Sequence, residues 1–155
     1  MPTPERRRDE MGLYNFQKRF VPMIEDGSKC HTIRACRRCP DKPGDTLHLY
    51  TGLRQPGARL LFRAPCVRIE NIRIDRARVW INDNELSLDE KDILAWHDGF
   101  RYDGTMMEIC DPPVAKSTGC FNLMLQFWVE KHRTTEFIGH IIHWHYEQRS
   151  KAEGR

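Results

Sequence analysis

One stretch of the chain decides how the rest is interpreted: Gly27-Ser28-Lys29-Cys30-His31-Thr32-Ile33-Arg34. Its β-branched residues predict a strand, and its leading glycine predicts a turn after a short helix that begins near Pro22. Because alternate residues of a strand project to one face, Thr32 and Arg34 are expected on the same side. An ammonium, a hydroxyl and a guanidinium would then surround an anionic or carbonyl group. The alternative is an ordinary exposed strand.

Alternation and turn signals extend this pattern in both directions. The expected strands are residues 13–16, 30–34, 46–51, 60–64, 67–74 and 137–146. A phase slip at Glu70-Asn71 predicts a β-bulge. Ser87-Leu88-Asp89-Glu90 has the residues of a capping box, which predicts a helix to about Trp96, and Asn122 is expected to cap a second helix. The fold class is therefore α+β, with a curved antiparallel sheet as its body.

Composition favours one folded domain. The chain has 155 residues, 39% of them hydrophobic and 10% aromatic, which is enough for a core and too much for a wholly disordered chain. No apolar run approaches the roughly 18 residues of a membrane helix, and the charged N-terminus lacks the apolar region of a secretion signal. We therefore expect a cytoplasmic protein without membrane contact. Its parts are a flexible basic arm (residues 1–11), a domain (12–146) and a flexible tail (147–155).

Positive charge is concentrated in the first half of the chain. Residues 1–80 carry 17 Lys and Arg against 9 Asp and Glu, whereas residues 81–155 carry 8 against 13. Most of the cations are Arg, which grips phosphates and stacks on bases. The candidate nucleic-acid contacts are Lys29, Arg34, Arg37, Arg38, Arg54, Arg68 and Arg73, with Tyr50, Trp80 and Trp96 as candidate stacking rings. The alternatives are a solvated sheet face and ordinary core packing.

The cysteines and histidines include two incomplete metal-binding patterns. Cys36-Arg37-Arg38-Cys39 is half of a zinc site, and the sequence contains no second C-x-x-C to complete it. Cys36 and Cys39 are thus candidate zinc ligands, with a distant cysteine or nearby Cys30 and His31 as the missing partners. His143 and His145 form a second incomplete pair. Free thiols and solvated histidines are the alternative, and no other cofactor is expected.

The motif Gly27-x-Lys29-x-x-Thr32-x-Arg34, followed by Lys42-Pro43-Gly44-Asp45, resembles the ASCH domain, whose members show G-x-K-x-x-T-x-R and then a p-G-D turn before a strand. Three later segments look like further family motifs: Asp98-Gly99-Phe100, Phe127-Trp128 and Phe137-x-Gly139-x-x-Ile142-x-Trp144. The resemblance covers about residues 13–145. It implies a PUA-like curved β-barrel with short flanking helices, a cleft lined by the motif strand, and binding of RNA or a nucleotide.

The same resemblance implies enzymatic alternatives. Some small bacterial members are similar to amidohydrolases that deacylate N4-acetylcytidine, and others are reported as ribonucleases. In the amidohydrolases the motif lysine and threonine act with a downstream glutamate, which implies catalytic roles for Lys29 and Thr32. The glutamate position aligns with Asn84, so its neighbour Glu85 is the candidate acid; Lys29 would act as base toward Thr32 if burial lowers its pKa. A zinc-stabilised interaction domain is a third alternative.

Overall fold

The computed structural model describes residues 12–101, 119–133 and 135–147. These residues form a mixed α+β fold with a large, open, mixed sheet and three short helices, which confirms the predicted class. Contacts divide them into a first unit (residues 12–32, 37–69 and 142–147) and a second unit (33–36, 70–101, 119–133 and 135–141). The predicted arm and all but the first residue of the predicted tail lie outside the described residues. The single domain over 12–146 stays a prediction.

The predicted elements appear in the expected order with shifted bounds, and the structure adds two short strands, Arg78–Ile81 and Asn84–Glu85, that were not predicted. The strands are β1 (Leu13–Phe16), β2 (His31–Ala35), β3 (Thr46–Thr51), β4 (Arg59–Asp75), β5 (Arg78–Ile81), β6 (Asn84–Glu85) and β7 (Glu136–Trp144). The helices are α1 (Val21–Glu25), which follows a 3₁₀ turn (Lys18–Phe20), α2 (Leu88–Asp98) and α3 (Cys120–His132). The two strands expected at 60–64 and 67–74 are one strand, β4. Pro65 does not end it, because the carbonyl of Pro65 still accepts a hydrogen bond from His145 N at 3.1 Å.

The first unit contains a parallel strand pair, which corrects the prediction of an antiparallel sheet. β1 runs parallel to β3, and β3 runs antiparallel to β4. The chain between β1 and β3 holds α1 and β2, so it is long enough for the crossover that parallel strands need. Leu49 pairs with Phe62 and Tyr50 with Leu60, which leaves Leu61 as the extra residue of a β-bulge.

The core of the first unit follows the alternation of its strands. Leu47 and Leu49 on β3 are fully buried, as are Tyr14 and Ile24. Buried Phe16 meets the ring of Trp144 edge to face, with 5.9 Å between the centroids. Alternate side chains along these strands point to the same side, and together they form one apolar face of this sheet.

In the second unit, the end of β4 pairs antiparallel with β5, and β5 pairs antiparallel with β6. Ile72 and Ile74 on β4 are buried with Val79 on β5. β5 turns into β6 through Asn82 and Asp83, whose φ values of 48° and 67° are those of a two-residue type I′ turn. The opposite face of the β4–β5 pair carries polar and aromatic side chains and is the one described below.

Helix α2 begins at the predicted capping box, since the Ser87 hydroxyl accepts from Glu90 N and the Glu90 carboxylate accepts from Ser87 N. Helix α3 begins earlier than expected and Asn122 does not cap it. Instead, the buried carboxylate of Asp92 on α2 accepts from Gly119 N at 3.1 Å and Phe121 N at 3.0 Å. None of the helices in the described ranges has both the length and the apolar composition to cross a membrane.

Candidate functional site

The structure places Lys29 and Thr32 inside the first unit. Their exposed fractions are 2% and 5%. The Lys29 Nζ lies 5.2 Å from the ring centroid of Phe20 and 5.8 Å from that of Phe16. The Lys29 N–H donates to the carbonyl of Met23 in α1 at 2.9 Å, so the helix end and turn set where the side chain enters the interior. The motif ammonium therefore lies against aromatic rings rather than on an open cleft wall.

Arg34 and Arg37 differ in their surroundings. Arg34 is half-buried on the part of β2 that belongs to the second unit. The Arg37 guanidinium stacks 4.0 Å above the ring centroid of Tyr14, and its Nη2 donates to the Leu13 carbonyl at 2.7 Å. Its Nη1 also lies 3.8 Å from the carboxylate of buried Asp41, which accepts a hydrogen bond from the Tyr14 hydroxyl. Arg37 thus anchors the cysteine-containing loop to β1.

The remaining predicted cations of the first unit are on its surface. Arg38, Arg54 and Arg68 have exposed side chains. Arg54 has a φ of 67°, in the turn between β3 and β4. Exposed guanidinium groups of this kind provide salt-dependent attraction to phosphates without sequence preference.

Glu85 belongs to the second unit, on β6, and its carboxylate is held by Arg78. Arg78 Nε donates to Oε2 at 2.7 Å and Nη2 to Oε1 at 2.8 Å, a bidentate pair. The hydrogen bonds from Arg78 hold the pKa of Glu85 below its usual value, so the carboxyl group is ionised at neutral pH. Asn84 is exposed beside it and donates to the Asn82 carbonyl at 3.2 Å.

The exposed face of the β4–β5 pair carries a stack of guanidinium groups on an indole ring. Arg73 and Trp80 are direct cross-strand partners, and the Arg73 guanidinium carbon lies 3.8 Å above the Trp80 ring centroid. Arg78, two residues before Trp80, contributes a second guanidinium at 4.7 Å. A cleft of about 180 Å³ opens beside this stack; its lining includes Asn71, Asp83 and Ile138.

The sequence patterns indicated Arg73, Trp80 and Arg78 as separate candidates but did not predict that they form one site, and they did not indicate Ile138. The signal that would have joined the first two is strand register, because residues opposite each other in an antiparallel pair share a face. The other candidate stacking rings are less available. Trp96 is buried, as expected for a core residue, and the Arg101 guanidinium carbon lies 3.6 Å from its ring centroid. Tyr50 is half-buried.

The candidate zinc ligands gain no partners in the described part of the chain. Cys36 and Cys39 are both exposed free thiols. Across residues 12–101, 119–133 and 135–147, no three His, Cys, Asp or Glu side chains gather as a metal site would require. The rings of His31 and His143 lie 5.5 Å apart between centroids in the first unit, which shows that His143 contacts another ring.

Comparison with protein-family models, with curated proteins and with solved structures gave no match to this chain. The ASCH-like motif order therefore stands as a prediction from the sequence, and the site geometry carries the functional argument.

Proposed function

We propose that this chain binds RNA or a nucleotide, and that the exposed stack of Arg73 on Trp80, with Arg78 held beside it by Glu85, is its principal contact. The single observation that carries the proposal is the Arg73 guanidinium lying 3.8 Å above the Trp80 ring, beside an open cleft. Arginine forks pair with phosphates, and both guanidinium and indole planes stack on bases. A surface that offers both in one place suits a ligand with alternating bases and phosphates.

The accessibility of the aromatic ring supports this choice of site. The chain has four tryptophans, all within the described residues; Trp96, Trp128 and Trp144 are buried, whereas Trp80 is half-buried. An indole that is left partly in solvent and covered by cations is poorly explained by core packing. The exposed Arg38, Arg54 and Arg68 would add non-specific attraction for a polyanion.

The finer features implied by the ASCH resemblance belong to the same proposal. They are a PUA-like closure of the sheet, a cytoplasmic location and a ligand contact at the motif strand. Lys29 and Thr32 are buried, so a ligand reaches them only after the residues over them move. The exposed arginines, in contrast, require no movement to meet a phosphate.

The test is titration of the purified chain with a fluorescently labelled single-stranded RNA of mixed sequence. Binding should weaken steeply with added salt, and Arg73→Gln should reduce the salt slope by about one. Trp80→Ala should weaken binding by about ten-fold, because base stacking is worth roughly 1–3 kcal/mol. Arg59→Gln, which removes an exposed arginine paired with Glu25, is the matched control for charge. An affinity that changes neither with the salt concentration nor in the Trp80→Ala variant would contradict the proposal.

Burial of Lys29 and Thr32 in the same unit supports a second candidate, the deacylation of N4-acetylcytidine. A lysine needs burial to become a base near neutral pH, and Lys29 is buried. The hydroxyl of Thr32, three positions later in the sequence, belongs to a residue that is also buried. Glu85 is a poor acid for this chemistry, because the hydrogen bonds from Arg78 lower its pKa.

The second candidate is tested by release of cytidine from N4-acetylcytidine. Turnover should be lost in Lys29→Met and Thr32→Val and kept in Lys18→Met, a change at an exposed lysine of the first unit. Glu85→Gln tests the third predicted residue: an unchanged rate would remove Glu85 from the mechanism. Absence of turnover in the folded wild-type chain would eliminate this activity.

A further inference from the structure

The cleft beside Trp80 is small and has two kinds of wall. Its volume of about 180 Å³ is below the roughly 300–1,000 Å³ of sites that enclose drug-sized ligands. It therefore has room for one ring system, with the rest of a nucleotide outside. Ile138 and Trp80 supply apolar surface to the lining, whereas Asn71, Arg73 and Asp83 supply polar groups.

Ile138 is exposed over 70% of its surface, an unusual state for a large aliphatic side chain on a strand. It lines the same cleft as the Arg73–Trp80 stack. A planar base that enters the cleft would cover Ile138 and extend the stack, because apolar and π surfaces both bind the face of a base. Nothing in this contact distinguishes one base from another.

Asp83 provides the group that does distinguish bases. Its backbone is held with a φ of 67° in the type I′ turn between β5 and β6, and Asp83 is one of the residues that line the cleft. An ionised carboxylate only accepts hydrogen bonds. Guanine presents two adjacent donors, N1–H and N2–H, that match the two carboxylate oxygens. Adenine and cytosine present one amino group, and uracil presents a single N–H between two carbonyl oxygens that a carboxylate repels.

We infer that the cleft of the second unit selects guanine, with Asp83 accepting from the base edge, Ile138 and the Arg73–Trp80 stack covering its faces, and exposed Arg73 near its phosphate. This inference rests on the proposed function, because it assigns a base preference to the same surface. The ligand is a guanine nucleotide, either free or as one unpaired residue of an RNA strand.

The experiment uses four oligouridine strands that differ only in one central base, titrated against the full chain. The strand with a central guanine should bind about ten-fold more tightly than the all-uridine strand. The reason is that hydrogen bonds to a charged group contribute more binding free energy than hydrogen bonds between neutral groups. Asp83→Asn should remove this preference, so that the variant binds the central-guanine strand no more tightly than the all-uridine strand. The variant should fold, because asparagine tolerates a positive φ. Asp89→Asn, an exposed carboxylate on α2, is the control for loss of charge.

The outcomes separate this inference from the proposed function. Equal binding of all four strands, with affinity still reduced by Trp80→Ala, overturns the guanine preference and leaves the RNA-binding proposal standing. Binding of no strand overturns both. Competition by guanosine monophosphate, against uridine monophosphate as control, identifies a free nucleotide as sufficient; a guanine preference seen only with strands identifies an unpaired RNA residue as the ligand.

Discussion

The ring of Tyr146 lies directly against the backbone of Gly27, so that a Cβ added to this glycine would overlap the tyrosine Cδ1. The Tyr146 hydroxyl donates to the Glu25 carbonyl at 2.9 Å, which holds the ring over the turn. Gly27 also has a φ of 85°, a conformation that side chains disfavour. The glycine that leads the motif is therefore explained by packing within the first unit, without any ligand.

Gly27→Ala should lower the free energy of unfolding by about 2–4 kcal/mol, since the positive φ and the overlap with Tyr146 each contribute. Urea denaturation measures the loss. Gly44→Ala is the matched control: its φ is 95° but nothing lies within 4 Å of the added Cβ, so only about 1 kcal/mol should be lost. In a Tyr146→Ala background the excess cost at Gly27 should disappear. Equal losses at both glycines would contradict the role of the ring.

Asp92→Ala should destabilise the chain by about 3 kcal/mol. The buried carboxylate accepts from Gly119 N and Phe121 N, and each unsatisfied buried donor costs about 1–3 kcal/mol. Asp92→Asn should cost less, because one oxygen remains to accept. The comparison is Asp89→Ala, which removes an exposed acidic residue from the same helix. A loss at Asp92 no larger than that at Asp89 would show that the cap at α3 contributes nothing.

The Arg78–Glu85 pair should make stability depend on pH in the acidic range. Because the folded-state pKa of Glu85 is lowered by Arg78, its contribution is present above the unfolded pKa and is lost as the pH falls through the folded pKa. The difference in unfolding midpoint between wild type and Glu85→Gln should therefore shrink towards zero on acidification from neutral pH. Both side chains are exposed, so the difference is small even at neutral pH. A difference that persists below the folded pKa would rule out the ion pair as its source.

The described thiols should differ in their rates of alkylation at mildly alkaline pH. Cys36 and Cys39 are exposed, whereas Cys66 is buried. Burial raises the pKa of the Cys66 thiol, and the carboxylates of Asp41 and Asp45 raise it further, so its reactive thiolate is scarce. Peptide-level mass spectrometry of the native chain should find Cys36 and Cys39 labelled well before Cys66. Labelling of all three at one rate would mean that the first unit opens faster than the reagent reacts.

Local patterns predicted the elements well where a few neighbouring residues decide the structure. The capping box at Ser87 and Glu90 and the alternation around Leu47 and Leu49 both appear as expected. The same reasoning failed at α3, because the group that satisfies the first amides of this helix, Asp92, lies 27 residues before Gly119.

The sequence by itself determined the α+β class, the positions of most strands, and an arginine-rich composition suited to phosphate. Tertiary structure alone decided which charged groups are available to a ligand. It buries Lys29 against two phenylalanine rings, ties Arg37 to Tyr14 and Leu13, and sets Arg73 on Trp80 in the open. The physical reason is that backbone preference depends on adjacent residues, whereas the burial and pairing of a charge depend on side chains that only the folded chain brings within a few ångströms.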